Sequence, residues 1–121
     1  MLIELVQHED VWVLRLKGRL VLSSDLERLH VQVDEIRRRD CRKVLADFRE
    51  VPHIESTTIG FLVSIYTSVT RKGGGRFVLA GPSPRVRQVL DLMRLSTVIP
   101  LAPDFESGLA LLRAEGVAAS A

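Results

Sequence analysis

Cysteine is nearly absent. Cys41 is the one cysteine in 121 residues, so no internal disulfide can form and no second thiol is at hand for a metal centre. Histidine is almost as scarce, and His8, His30 and His53 fall without the His/Cys/Asp/Glu spacing of a zinc or iron site. No apolar run approaches the roughly 18 residues needed to span a bilayer. The first residues show no charged segment, apolar run and small-residue cleavage site in succession, so a cytoplasmic protein with no membrane insertion is expected. Aromatic residues make up only 5% of the chain. None interleaves Arg37-Arg38-Arg39, which Asp34, Glu35 and Asp40 interrupt, and the net charge is only +2, so nucleic acid is not the expected partner.

The signatures of common chemistries are missing as well. Ile54-Glu55-Ser56-Thr57-Thr58 does not supply the Gly-x-Ser-x-Gly elbow of an α/β hydrolase. The run Arg71-Lys72-Gly73-Gly74-Gly75-Arg76 leads into a strand, whereas a phosphate-cradling loop opens a helix and ends in Gly-Lys-Ser/Thr. Asp47 sits inside an apolar strand with no companion acidic pair to hold magnesium, which argues against a phospho-accepting aspartate. These absences point away from an enzyme, a metal or a bound cofactor.

What is present is an ordinary globular composition, 46% hydrophobic and 26% charged, at a length suited to one domain. Leu2 to Val6 and Val11 to Leu16 alternate apolar with polar residues around Gln7-His8-Glu9-Asp10, the pattern of an antiparallel hairpin. Ser23-Ser24-Asp25 then opens a helix whose inner stripe is Leu22, Leu26, Leu29, Val33 and Ile36, with Arg37 to Arg39 at its carbonyl end. Val44 to Phe48 reads as a buried strand, and Ile59, Leu62, Val63, Tyr66 and Val69 recur at helical spacing after it.

Phe77 to Ala80 forms the next strand. Ser83 caps a helix with Pro84 at its first position, and Val86, Val89, Leu90 and Met93 make its buried face. Thr97 to Leu101 reads as a short edge strand because Pro100 would interrupt a central ladder. Asp104 caps a last helix reaching Arg113. The expected architecture is α/β: an N-terminal β-hairpin leading into a mostly parallel sheet of four to five strands with about four helices. The domain is expected to end near residue 115, with 116–121 as a flexible tail.

One junction concentrates polar groups. Between the strand ending at Phe48 and the helix beginning near Ile59, Pro52 keeps Val51 out of the helical region, while Glu55, Ser56, Thr57 and Thr58 present one carboxylate and three hydroxyls. A hydroxyl at such a helix start either satisfies a backbone donor or stands where a phosphoryl group is welcome.

Five segments in order then carry a resemblance. Leu16-Lys17-Gly18-Arg19-Leu20-Val21 matches a strand ending in a Gly-Glu-Leu-Asp-like turn, and Val44-Leu45-Ala46-Asp47-Phe48 an apolar strand ending in an Asp-x-Ser/Thr-like segment. Val51-Pro52-His53-Ile54-Glu55-Ser56-Thr57-Thr58-Ile59-Gly60 matches a Val-x-x-Ile/Met-Asp-Ser-Ser-Gly-Leu-Gly motif, and Gly74-Gly75 and Ser83-Pro84 follow in place. Together they resemble the STAS family, best known from bacterial anti-sigma factor antagonists, over residues 2 to 114.

The resemblance implies a non-enzymatic module that binds an anti-sigma factor with serine-kinase activity of the GHKL type. It implies that Ser56 accepts phosphate, with Thr57 as fallback, and that Arg19, Val21, Glu55, Ser56, Thr57, Thr58 and Ile59 contact the partner. Glu55 stands for the usual aspartate, Thr58 for a glycine and Val21 for an acid found in many regulated members. The other reading is a constitutive adaptor or scaffold subunit, in a stress-sensing or lipid-transport complex, with Ser56 as no more than a helix cap.

Overall fold

The computed structural model describes residues 2–19, 22–71 and 75–120. The alternating segments form the hairpin of β1 (Leu2–His8) and β2 (Val11–Lys17), with His8 opposite Val11. That register leaves Glu9 and Asp10 as the turn, and Glu9 takes a left-handed φ of 58° although it is not glycine. Ion pairs secure both residues, Arg113 to Glu9 at 2.9 Å and Lys43 to Asp10 at 2.7 Å.

Beyond the hairpin, β3 (Lys43–Glu50), β4 (Arg76–Ala80) and β5 (Leu101–Ala102) add in parallel to give the order β1-β2-β3-β4-β5. The connections are α1 (Leu22–Arg38), α2 (Ser56–Thr70) and α3 (Pro84–Leu92), and α4 (Phe105–Ser120) follows the last strand. Successive strand side chains point to opposite faces. Val44, Ala46 and Phe48 therefore join Leu14, Phe77 and Leu79 beneath the first three helices, whereas Leu45 joins Val13, Val78 and Ala80 beneath Leu109 and Leu112 of α4. Because β3 is covered on both faces, its central residues are apolar without interruption up to Asp47.

Several details differ from the expectations above. Helix α1 begins at Leu22, so Ser23 and Ser24 lie within its first turn and not ahead of it. Leu29, Val33 and Ile36 are buried as expected, while the side chains of Leu22 and Leu26, and Gly73 and Gly74, lie outside the described residues. In α2 the buried positions are Thr58, Phe61, Leu62, Ile65 and Val69, and Val63 is 40% exposed. The apolar arc of this helix is wider than one buried face, and the aromatic contacts of Phe61 with His30 and of Tyr66 with Phe77 select its rotation.

Ser83 caps α3 by accepting from the Val86 N–H at 3.2 Å, but Met93 lies past the helix end and is 57% exposed. Residues Leu95–Thr97 form a 3-10 turn, and the strand starts only at Leu101. Pro100 has no N–H to give a ladder, so it contributes its carbonyl alone, accepting from Leu79 at 3.0 Å. Asp104 caps α4 through the Ser107 N–H at 2.7 Å.

Candidate partner-binding surface

The carboxyl ends of β2 and β3 place the site. Asp47, 4% exposed, holds Arg49 two residues on: Arg49 donates from Nε at 3.0 Å and from Nη2 at 2.8 Å, and its backbone N–H reaches Oδ1 at 3.2 Å. The Arg49 guanidinium then lies over the Phe105 ring at 5.0 Å, tying the end of β3 to the start of α4. Burial pushes the Asp47 carboxyl up, but the Arg49 hydrogen bonds and charge outweigh it and hold the group below the usual aspartate range.

Asp47→Asn is expected to cost about 1.5–3 kcal/mol near neutral pH, the range for hydrogen bonds to a charged group. A carboxyl depressed in the folded state contributes stability above its unfolded value of 3.8 and loses it as pH falls through the lower folded value. Denaturant melts of both proteins should therefore differ at pH 7 and converge in strong acid; a gap that persisted at low pH would refute the ion pair.

After β3 the chain is pinned at two points. Val51 and Ile54 are buried at 1% and 6% exposure, and the Val51 N–H donates to the Phe48 carbonyl at 3.1 Å. Between and beyond these anchors Pro52, Glu55 and Ser56 are exposed and His53 is half-buried. Glu55 is the N-cap residue of α2, extended at φ −118° and ψ 175°, and its side chain makes no cap hydrogen bond. Ser56 is thus the first helical residue, not the cap. Among the described residues its hydroxyl makes no hydrogen bond, which removes the structural role that the scaffold reading assigned to it.

The other predicted residues divide. Thr57 is half-buried and Ile59 partly so, packed against the core beneath α2. Thr58 is 5% exposed and lines a small apolar void with Leu14, Phe48 and Leu62, so it offers a partner almost no surface. Val21 lies outside the described residues.

Arg19 is brought to the site from the neighbouring loop. Gly18, at φ 93°, turns the chain after β2 and donates its N–H to the Glu50 carbonyl at 2.9 Å. Arg19 Nη2 then lies 3.2 Å from His53 Nε2, and the same nitrogen is 3.7 Å from Glu55 Oε1. His53 was not foreseen as a site residue: its partner is 34 positions away, and only the nearness of Glu55 was legible locally. Lys17, Gly18, Glu50, Val51 and Pro52 line a shallow open crevice beside this loop. Helix α2, from Ser56 to Thr70, carries no charged side chain.

A sequence profile of the STAS domain matches residues 3–108. The chain belongs to the STAS family. Over 101 residues, 82% of this chain and 84% of the relative, the domain is 30% identical to a protein of Paenibacillus polymyxa named anti-sigma F factor antagonist. An anti-sigma factor antagonist from Mycobacterium paratuberculosis shares the STAS fold with a TM-score of 0.81, covering 93% of each chain at 17% identity. The Bacillus cell fate determinant SpoIIAA in its phosphorylated form gives 0.65 at 19% identity, over 84% of this chain and 91% of that one. Among the described residues, no helix of this STAS domain is long and apolar enough to cross a membrane.

Proposed function

We propose that this STAS domain is an anti-sigma factor antagonist: a non-enzymatic module that binds an anti-sigma factor with serine-kinase activity and is released when that partner phosphorylates Ser56. The observation that carries the reading is the placement of Ser56, exposed, its hydroxyl without a hydrogen bond among the described residues, and first in a helix that a doubly anchored loop holds in place. The relative from Paenibacillus polymyxa bears the antagonist name, and a protein of this fold has been captured in a phosphorylated form.

The physical switch is charge. Transfer of the γ-phosphoryl group of ATP to Ser56 Oγ, with release of ADP, adds about −1.5 to −2 charges at pH 7. Because α2 has no charged side chain, that phosphate would be its only formal charge. A partner surface fitted to a neutral helix start would then meet repulsion and unpaired desolvation, and about 2.8 kcal/mol of such cost is a 100-fold loss of affinity.

The test is incubation of the protein with ATP and GHKL-type kinases encoded near it, followed by mapping of any phosphate by mass spectrometry. One phosphate on Ser56, or on Thr57 as the neighbouring hydroxyl, is the expected result. Unmodified Ser56 and Thr57 with every kinase would sink the switch and leave a constitutive adaptor.

A further inference from the structure

The neighbouring cations each face a carboxylate. Lys17 and Arg15 lie 3.7 and 3.9 Å from Glu50, and Arg49 is bound by Asp47 at 2.8 Å. Arg19 differs, because among the described residues it forms no ion pair and its side chain meets the His53 ring nitrogen at 3.2 Å. A guanidinium only donates and stays charged, so in this contact His53 accepts at Nε2 and carries its proton on Nδ1. The charge of Arg19 is therefore parked on a neutral acceptor. Across the same imidazole nitrogen, at 3.7 Å, stands Glu55, the residue covalently joined to Ser56.

We propose that Arg19 reads the phosphorylation state of Ser56: when the serine carries a phosphoryl group, the guanidinium leaves His53 and takes the phosphate oxygens. This rests on the phosphorylation of Ser56 proposed above. The exchange replaces a hydrogen bond to a ring nitrogen by a charge-assisted one between guanidinium and phosphate, the stronger class of contact. His53 Nε2 lies 3.2 Å from Arg19 and 3.7 Å from Glu55, so the guanidinium already stands beside the side chain of the residue that precedes Ser56. Its consequence is regulatory. The loop after β2, which the resemblance assigns to partner contact, is drawn toward the start of α2, so the phosphate closes the surface by re-deploying Arg19 as well as by adding charge.

The test needs no kinase and no partner. Phosphoserine is placed at position 56 of the full chain during translation, and the second ionisation of the phosphate is followed by phosphorus NMR across a pH titration. A nearby guanidinium favours the dianion, so the wild-type phosphate is expected to titrate about half a unit to one unit lower than in Arg19→Gln, a three- to tenfold change in its proton affinity. Arg19→Lys should keep part of the shift. Repeating the pair in a His53→Gln background separates the phosphate signal from the imidazole, and there the Arg19 effect should persist.

Superimposable titrations of wild type and Arg19→Gln would overturn the role of Arg19 while leaving phosphorylation of Ser56 untouched. Conversely, failure of every kinase to modify Ser56 would sink the functional reading without altering this measurement. Arg19 is exposed, so the substitutions leave the core intact, and a thermal melt verifies that each variant is folded.

Discussion

Ser56→Asp is expected to weaken binding of the anti-sigma partner about 30-fold, or about 2 kcal/mol, without loss of stability. A carboxylate brings one negative charge where phosphate brings about −1.5 to −2, so the substitution should reproduce most of the switch but not all of it. Ser56 is exposed and its hydroxyl makes no hydrogen bond among the described residues, so nothing described is broken by the exchange. An acid in the first turn of a helix is worth about 0.3–1 kcal/mol in its favour, and α2 has no acid there, so the melting temperature should hold or rise slightly.

Ser56→Ala supplies the control, retaining partner affinity within a few-fold while removing the acceptor at position 56. Titration calorimetry against the purified partner and a thermal melt of each variant complete the comparison. Undiminished binding by Ser56→Asp, with Ser56→Ala equal to it, would remove this surface from partner recognition.

The second large effect concerns the packing that holds β3, and hence the site, from behind. A Cβ built on Gly108 of α4 would stand 2.6 Å from Leu45 Cδ1, 3.1 Å from Ala80 Cβ and 3.6 Å from Ala102 Cβ. The tip of Leu45 can turn aside, but the Ala80 methyl is fixed to its strand. Replacing a helical glycine by alanine gains about 0.5–1 kcal/mol of backbone entropy, and overpacking a tight core costs about 1–3 kcal/mol. The cost wins, so Gly108→Ala should lose about 1 kcal/mol and Gly108→Val about 3 kcal/mol or more. Gly60 gives the opposite sign, because nothing lies within 4 Å of a Cβ built there and Gly60→Ala in α2 keeps the full entropic gain. Denaturant melts showing Gly108→Val as stable as wild type would mean that α4 does not press on the sheet as described.

Much of the site was readable without coordinates because it is local. Pro52, the hydroxyl cluster from Ser56 to Thr58 and the apolar strand before them mark a strand-to-helix junction by chain geometry alone. What such a reading cannot see is which of these residues is exposed. Ser56 and Thr58 are chemically alike and two residues apart, yet one is exposed and the other is 5% exposed, because the rotation of α2 is chosen by its neighbours. The same rotation exposes Val63 and buries Phe61 and Ile65.

By itself, then, the order of residues determined the hairpin, the alternation of strand and helix, the Ser83 and Asp104 caps and the position of the hydroxyl-rich junction, since each follows from periodicity or from a bond made within a few residues. The tertiary structure alone decided that Arg19 meets His53, that Arg49 bridges Asp47 and Phe105, and that Thr58 is buried. Those outcomes depend on how separate elements pack, and a helical or strand period fixes the spacing of side chains along an element but not the neighbour that each one finds.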